Sequence, residues 1–269
     1  MVHQLSLFHS IDDDSFELFI STMTIMSGNP PVLFGNLSRV WKPNEAYDIE
    51  RANSKNQLVE LNRIKLSREV PLHVLLGAEK GSASSYALLK DLADKDLPVE
   101  PASVTLLLEE AAESVNEKPN AQSTNSPWAL SISDIPAAGG NRKVSVQTIS
   151  ESVILSVAGQ DSSLSKFLKE LGYIESYKFL TVGVKFHMKN DLMLVVQKIW
   201  DVEKKRQMTK GGYLIKAFIN VSRGTDIERI NQAENTLVAL RKDLQGYIDL
   251  SIPDRKAMDS RLDYLNDNL

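Results

Sequence analysis

The stretch "YKFLTVGVKFHMKNDLMLVVQKIW", Tyr177–Trp200, decides the fold. Its first half alternates: Leu180, Val182, Val184, Phe186 and Met188 fall on one face, with Lys185, His187 and Lys189 on the other. That period of two belongs to a β-strand whose faces meet different surroundings. Lys189, Asn190 and Asp191 read as a turn, and Leu192, Leu194, Val196 and Trp200 then share the apolar face of a second strand, Leu192–Val202. Two such runs across a short polar turn make an antiparallel hairpin.

The same period recurs on either side. Downstream, Gly211 and Gly212 open Tyr213–Val221, with Tyr213, Ile215, Ala217, Ile219 and Val221 on one face. Upstream, Val2–His9, Val32–Trp41, Gln57–Leu66, Trp128–Ile132 and Val144–Val157 are strand-like, while Glu69–Leu76 reads as a further strand or an irregular approach. About eight strands joined mostly by turns favour antiparallel pairing over βαβ units. Closing them on themselves removes exposed edges. The expected fold is α+β and mainly β: a closed or nearly closed antiparallel β-barrel with flanking helices.

Three helices stand out. Asp14 reads as the N-cap of a helix near 14–26, with Phe16, Phe19, Ile20, Met23 and Met26 on one face. Leu18 and Ile25 carry apolar character onto a second face, and Gly28, Pro30 and Pro31 stop the helix. Ser162–Leu171 places Leu164, Phe167, Leu168 and Leu171 on one side, ahead of Gly172. A C-terminal helix near 225–246 opens with Thr225 and Glu228 spaced as a capping box. It carries the stripe Ile227, Ile230, Ala233, Leu237, Leu240 and Leu244, and Gly246 ends it.

Residues 1–77 and 127–252 together form one barrel domain. Residues 78–126, rich in Ala, Ser, Glu, Lys, Asp and Asn, read as a variable, partly disordered insertion. Residues 253–269 read as a polar, frayed tail.

Composition excludes several chemistries. With no cysteine there is no disulfide, thiolate metal site or cysteine nucleophile. The net charge of −4 gives no reason to expect sequence-specific nucleic-acid binding. The N-terminus lacks a signal-peptide pattern, and the apolar run Leu192–Val196 is too short to span a bilayer, so a soluble intracellular protein is expected. His3, His9, His73 and His187 never fall at HxH or HxxxH spacing, so no metal site is expected. The glycines of "AAGGNRKVS", 137–145, fit neither GxxxxGK[ST] nor GxGxxG, and alternation follows them; a turn before a strand is expected, with no bound cofactor. Lys204, Lys205 and Arg206 read as a solvated hairpin loop. A metal-dependent triphosphate-tunnel phosphohydrolase is the enzymatic alternative. Glu60, with Arg63 and Lys65, offers it one carboxylate where an ExExK strand needs two.

Six segments carry a resemblance: "SLFHSIDDDSFELFISTMTIMSGNPP" (6–31), "NQLVELNRIKLSREVP" (56–71), "PWALSISDIPAAGGNRKVSVQTISE" (127–151), "LTVGVKFHMK" (180–189), "GGYLIKAFINVSRGTDIERIN" (211–231) and "LQGYIDLSIPDRKAMDSR" (244–261). In order, they resemble the fungal family of Mediator head-module subunit 18. The resemblance implies a barrel flanked by helices and no catalysis. It implies a nuclear heterodimer with Mediator subunit 20, docking of a C-terminal helical segment of Mediator subunit 8, and action on the RNA polymerase II machinery. It supplies no motif for the contacts. Aromatic and large apolar groups dominate interfaces, so Phe16, Leu18, Phe19, Trp41 and Trp200 are the expected partner-binding residues.

Overall fold

The 177–200 stretch folds as an antiparallel hairpin, and its first strand is longer than the alternation implied. In the computed structural model, which describes residues 1–44, 46, 55, 62–75, 99, 127–137, 139, 141–154 and 164–261, β6 spans Tyr173–His187 and β7 spans Met193–Asp201. Leu180 faces Trp200 and Phe186 faces Leu194 across the pair. Asn190 and Asp191 turn the chain at φ 60° and 59°, a left-handed conformation that Asn and Asp tolerate better than other non-glycine residues.

The other strands are β1 Val2–Asp12, β2 Val32–Pro43, β3 Ile64–Glu69, β4 Trp128–Ser133, β5 Ser145–Ile154, the short β8 Arg206–Gln207, and β9 Gly212–Val221. Their order is β6-β2-β3-β4-β5-β1-β9-β7, and the β6–β7 pairing closes the ring, with β8 added beside β7. All these pairings are antiparallel. The closed eight-stranded barrel is the one expected from sequence.

The barrel's apolar side faces outward. Tyr213, Ile215, Ala217, Ile219 and Val221 of β9 and Leu194, Val196 and Trp200 of β7 are buried, and one cluster joins them to residues of the surrounding helices. These helices are α1 Phe16–Ser27, α2 Leu72–Leu75, α3 Leu164–Glu170 and α4 Ile227–Asp243. Alternate positions, including Leu214, Lys216, Phe218 and Asn220 on β9, point into the lumen. Two glycines permit close approaches. A Cβ on Gly183 in β6 would lie 2.0 Å from the Val196 carbonyl oxygen, so β6 bends tightly onto β7 there. A Cβ on Gly35 in β2 would meet Leu75 Cδ1 and the Val70 oxygen at 2.9 Å each, so α2 can press flat on the sheet.

Several local expectations change. The N-cap of α1 is Ser15, after a 3-10 turn at Asp13–Ser15, because Asp13 is drawn into a buried ion pair. Helix α4 is capped by Asp226, whose carboxylate accepts from the Arg229 amide at 3.0 Å, rather than by Thr225; Ile227 is consequently exposed instead of lying in the stripe. Phe167 and Leu171 are also exposed, since α3 buries only Leu164 and Leu168. The third strand begins at Ile64; residues 57–61 of its expected span lie outside the described residues. Residues 72–75 of the segment expected as a strand or irregular approach form α2. The stretch after the paired glycines turns at Asn141 and enters β5, as expected. Within 78–126 only Val99 is described, and it packs in the core.

The expected frayed tail is anchored as far as Arg261. Ser251 and Phe8 exchange backbone hydrogen bonds of 2.8 Å each, and Arg255 Nε donates to the Pro136 carbonyl at 2.7 Å. Gln147 donates to the Met258 carbonyl, Ser260 to that of Ser133, and the Arg63 amide to that of Ser260. Residues 251–261 therefore cross the end of the barrel formed by the start of β3, the end of β4 and the start of β5.

Candidate partner interface

Helix α1 is fixed to the barrel before it offers anything to a partner. Asp13 Oδ1 lies 3.0 Å from Lys198 Nζ, and both side chains are buried, Lys198 at 0% exposure. The same ammonium sits 4.5 Å from the centroid of the Tyr213 ring, and Tyr213 stacks on Phe16 at 4.1 Å. Farther along, Phe19 stacks on Tyr247 at 5.9 Å, beyond the end of α4. Burying Phe16, Phe19, Ile20 and Met23 supplies about 1.5–3 kcal/mol apiece, which holds the helix down. Gly28, at φ 69°, ends it, its amide donating to the Thr24 carbonyl.

The outer side of α1 is an apolar ridge. Leu18 is 62% exposed and Ile25 82%, seven residues apart on one stripe, and Met26 adds to it. The Ser21 and Thr22 hydroxyls between them donate back to the carbonyls of Glu17 and Leu18. The hydroxyls between the ridge residues therefore already donate within the helix.

Of the five residues expected at the interface, only Leu18 is at the surface. Phe16, Phe19, Trp41 and Trp200 are buried in the chain's own core. Trp41 lies under Arg39, whose guanidinium carbon is 5.3 Å from the ring centroid. Arg39 also donates to Glu175 at 2.5 Å and to Ser165 at 3.0 Å, tying β2 to β6 and α3. Burial pushes the Glu175 carboxyl up, but hydrogen bonds and charges from Arg39 and Lys178 outweigh it and hold it below the usual range.

The lumen is the second region with chemical character. Lys65 of β3 and Lys216 of β9 both point into it. Enclosure lowers the Lys65 pKa, against the opposing pull of Glu151. Enclosure, with Lys65 adding repulsion, lowers Lys216 to about 8. Lys216 Nζ donates to Gln4 Oε1 at 2.5 Å and sits between the Phe8 and Phe218 rings. Among the described residues, no group of three or more His, Asp or Glu is placed to hold a metal ion.

A family model described as Med18 protein matches residues 3–261. The chain belongs to the Mediator subunit 18 family. Subunit 18 of the Mediator of RNA polymerase II transcription from Saccharomyces cerevisiae is 46% identical over 304 aligned positions, covering 99% of both chains. Its Kluyveromyces lactis counterpart is 43% identical, covering 99% of this chain and 100% of its own. A chain in the structure of the Schizosaccharomyces pombe Mediator head module superposes with a TM-score of 0.60 at 11% identity, covering 97% of this chain. That likeness shows a shared fold at low sequence identity.

Sequence reasoning missed two features of this family member. Lys198 occupies an apolar-face position between Val196 and Trp200, and that parity was the available signal. Its partner Asp13 lies 185 positions away, since 198 − 13 = 185, so the pairing was not readable. The anchored 251–261 segment had no periodic signal at all.

Proposed function

We propose that this chain is a non-enzymatic subunit of the Mediator head module. It relays regulatory signals to RNA polymerase II and supports pre-initiation complex assembly. The observation that carries this reading is the family relationship over the whole chain, at 46% identity to the budding-yeast subunit. Its partners are other Mediator subunits, and its place of action is the nucleus.

The finer assignment is a heterodimer with Mediator subunit 20 and docking of a C-terminal helical segment of Mediator subunit 8. The α1 ridge of Leu18, Ile25 and Met26 supports an apolar, helical contact, because three exposed apolar side chains stand on a helix that cannot retract them. Phe16, Phe19, Trp41 and Trp200 support the ridge and the barrel from inside. The test is light scattering after size exclusion, mixing the chain with subunit 20 and the subunit 8 segment of the same organism. A stoichiometric complex is expected, and Leu18→Asp weakens it while leaving the melt cooperative. Separate peaks for all components would overturn the partner assignment; complex formation unchanged by Leu18→Asp would overturn the ridge. A manganese-dependent triphosphatase assay should show no turnover, and turnover would favour the phosphohydrolase reading.

A further inference from the structure

The barrel wall is left open along one strand. β5 runs on to Ile154, but β1 faces it only from Ser145 to Ile149. Past Ile149, β5 pairs among the described residues with β4 alone, in a ladder that continues to Trp128 and Ile154. Ser150, Glu151, Ser152 and Val153 are all exposed, Val153 at 56%. Toward the other end of β1, the side that β5 no longer reaches is filled, because Ser251 exchanges backbone hydrogen bonds with Phe8 there.

Successive residues of an antiparallel ladder turn their N–H and C=O groups to opposite sides. The Thr148 carbonyl accepts from the Asp134 amide at 2.9 Å, on the β4 side. Ser150, Ser152 and Ile154 share that direction, so Glu151 and Val153 turn their amides and carbonyls to the open side. Backbone donors and acceptors standing unpaired at an exposed edge are what an added strand needs. The edge is also poorly guarded. Residues 150–154 contain no proline or lysine, and their ladder with β4 runs without a bulge. Glu151 is their one charged residue. It shares a row with Ser131 and Lys65 across β4, which puts Lys65 two strands, or roughly 10 Å, away. Among the described residues Glu151 makes no ion pair, and Lys185 is engaged with Glu69 at 3.3 Å. A cation on an added strand, directly opposite Glu151, would come within about 5 Å between Cβ atoms.

We propose that Glu151–Ile154 of β5 is a docking edge for an extended segment of a partner protein, one that carries Lys or Arg opposite Glu151 and an apolar residue opposite Val153. The segment adds as an antiparallel strand where β1 falls short, pairing backbone to backbone with Glu151 and Val153. A second copy of the chain fits less well. It would bring two Glu151 carboxylates into one seam between chains of net charge −4 each. The edge is separate from the α1 ridge and does not depend on it.

The test follows backbone amides of the full chain by NMR, with the peptide acetyl-Thr-Val-Thr-Lys-Thr-amide as probe. In the free chain the amides of Glu151 and Val153 should exchange with solvent faster than those of Ser152 and Ile154, which bond to β4. Saturable binding of the peptide should slow Glu151 and Val153, and Glu in place of its Lys should weaken binding several-fold. Val153→Pro removes an outward N–H that β4 does not use, so the melt should stay cooperative while the peptide binds about tenfold more weakly or worse. The exchange pattern needs no variant, so it decides the matter if Val153→Pro fails to fold. Equal or reversed protection of the four amides, no saturable binding, or binding unchanged in folded Val153→Pro would overturn the proposal. So would self-association of the chain that Val153→Pro abolishes, which would give the edge to a second copy.

Discussion

Replacing Lys198 tests whether the buried pair with Asp13 is what fixes α1. In Lys198→Met the Asp13 carboxylate loses its counter-charge at 6% exposure, and its Oδ1 has no hydrogen-bond partner to fall back on. Stranding one member of a buried pair costs about 3–5 kcal/mol. For a chain of 269 residues, at roughly 2–4 °C per kcal/mol, the melting temperature should fall by about 6–20 °C. Asp13→Leu takes the buried carboxylate away from the ammonium and should also destabilise, with the Tyr213 ring 4.5 Å away offsetting part of the cost. The double variant removes both charges and should recover most of the loss, because a buried pair exchanged for apolar groups is often nearly neutral. Urea unfolding of the four proteins gives the cycle, and because both single losses are large and the double variant recovers most of them, a coupling of about 5 kcal/mol or more is expected. As a control, Lys204→Met removes a 3.8 Å surface pair with Asp201 and should change stability by less than about 1 kcal/mol. Additive single effects, within about 0.5 kcal/mol, would refute the reasoning.

Three further outcomes follow from the geometry. Gly183→Ala forces a methyl group into the Val196 carbonyl, 2.0 Å from the ideal position, and should destabilise the barrel by about 3 kcal/mol or more in thermal melts; a loss under about 1 kcal/mol would show that β6 can move away. Asp226→Ala should cost about 1 kcal/mol by removing the α4 cap, whereas Thr225→Ala should cost little; the reverse ranking in denaturant titrations would restore Thr225 as the cap. The folded pKa of Lys216, about 8, lies below the usual lysine value of 10.5, so the unfolded chain binds the extra proton between those pH values. The penalty on folding is full below pH 8 and fades as pH rises. Wild type should therefore gain about 2 kcal/mol on Lys216→Met between pH 7.5 and 10, and a pH-independent difference in urea unfolding would count against enclosure of this group.

The strands were legible because each has one consistently apolar face. Leu180 to Phe186 and Tyr213 to Val221 could only be half-buried strands, and eight such runs without intervening crossover helices implied closure. What alternation could not reveal is which face turns inward. In most small barrels the apolar face fills the interior, but here the surrounding helices demand apolar surface outside, so Lys65, Lys185 and Lys216 line the lumen. Four of the five expected partner residues are buried in the chain's own core for a related reason. Phe16, Phe19, Trp41 and Trp200 are large and apolar, which marks an interface and a core equally well; only the helix's orientation separates them. Leu18 differed in lying off the main stripe of α1, and that offset was readable.

The outward core also explains how the barrel can hold an apolar helix face out towards a partner. A barrel with an apolar interior needs no covering elements and presents strands to solvent. This one must be covered, so it carries helices whose inner faces the sheet fixes and whose outer faces are free to vary. Helix α1 shows the consequence: Phe16 stacks on Tyr213, Asp13 is locked to Lys198, and Phe19 reaches Tyr247, while Leu18 and Ile25 are left outside. Held that way, the ridge loses little conformational freedom on binding, and preorganisation of that kind raises affinity without added contact area. If Lys198→Met loosens α1 while the barrel stays folded, subunit binding should weaken more than removal of one apolar contact would explain. An affinity unchanged in that folded variant would mean that the ridge does not depend on its anchor.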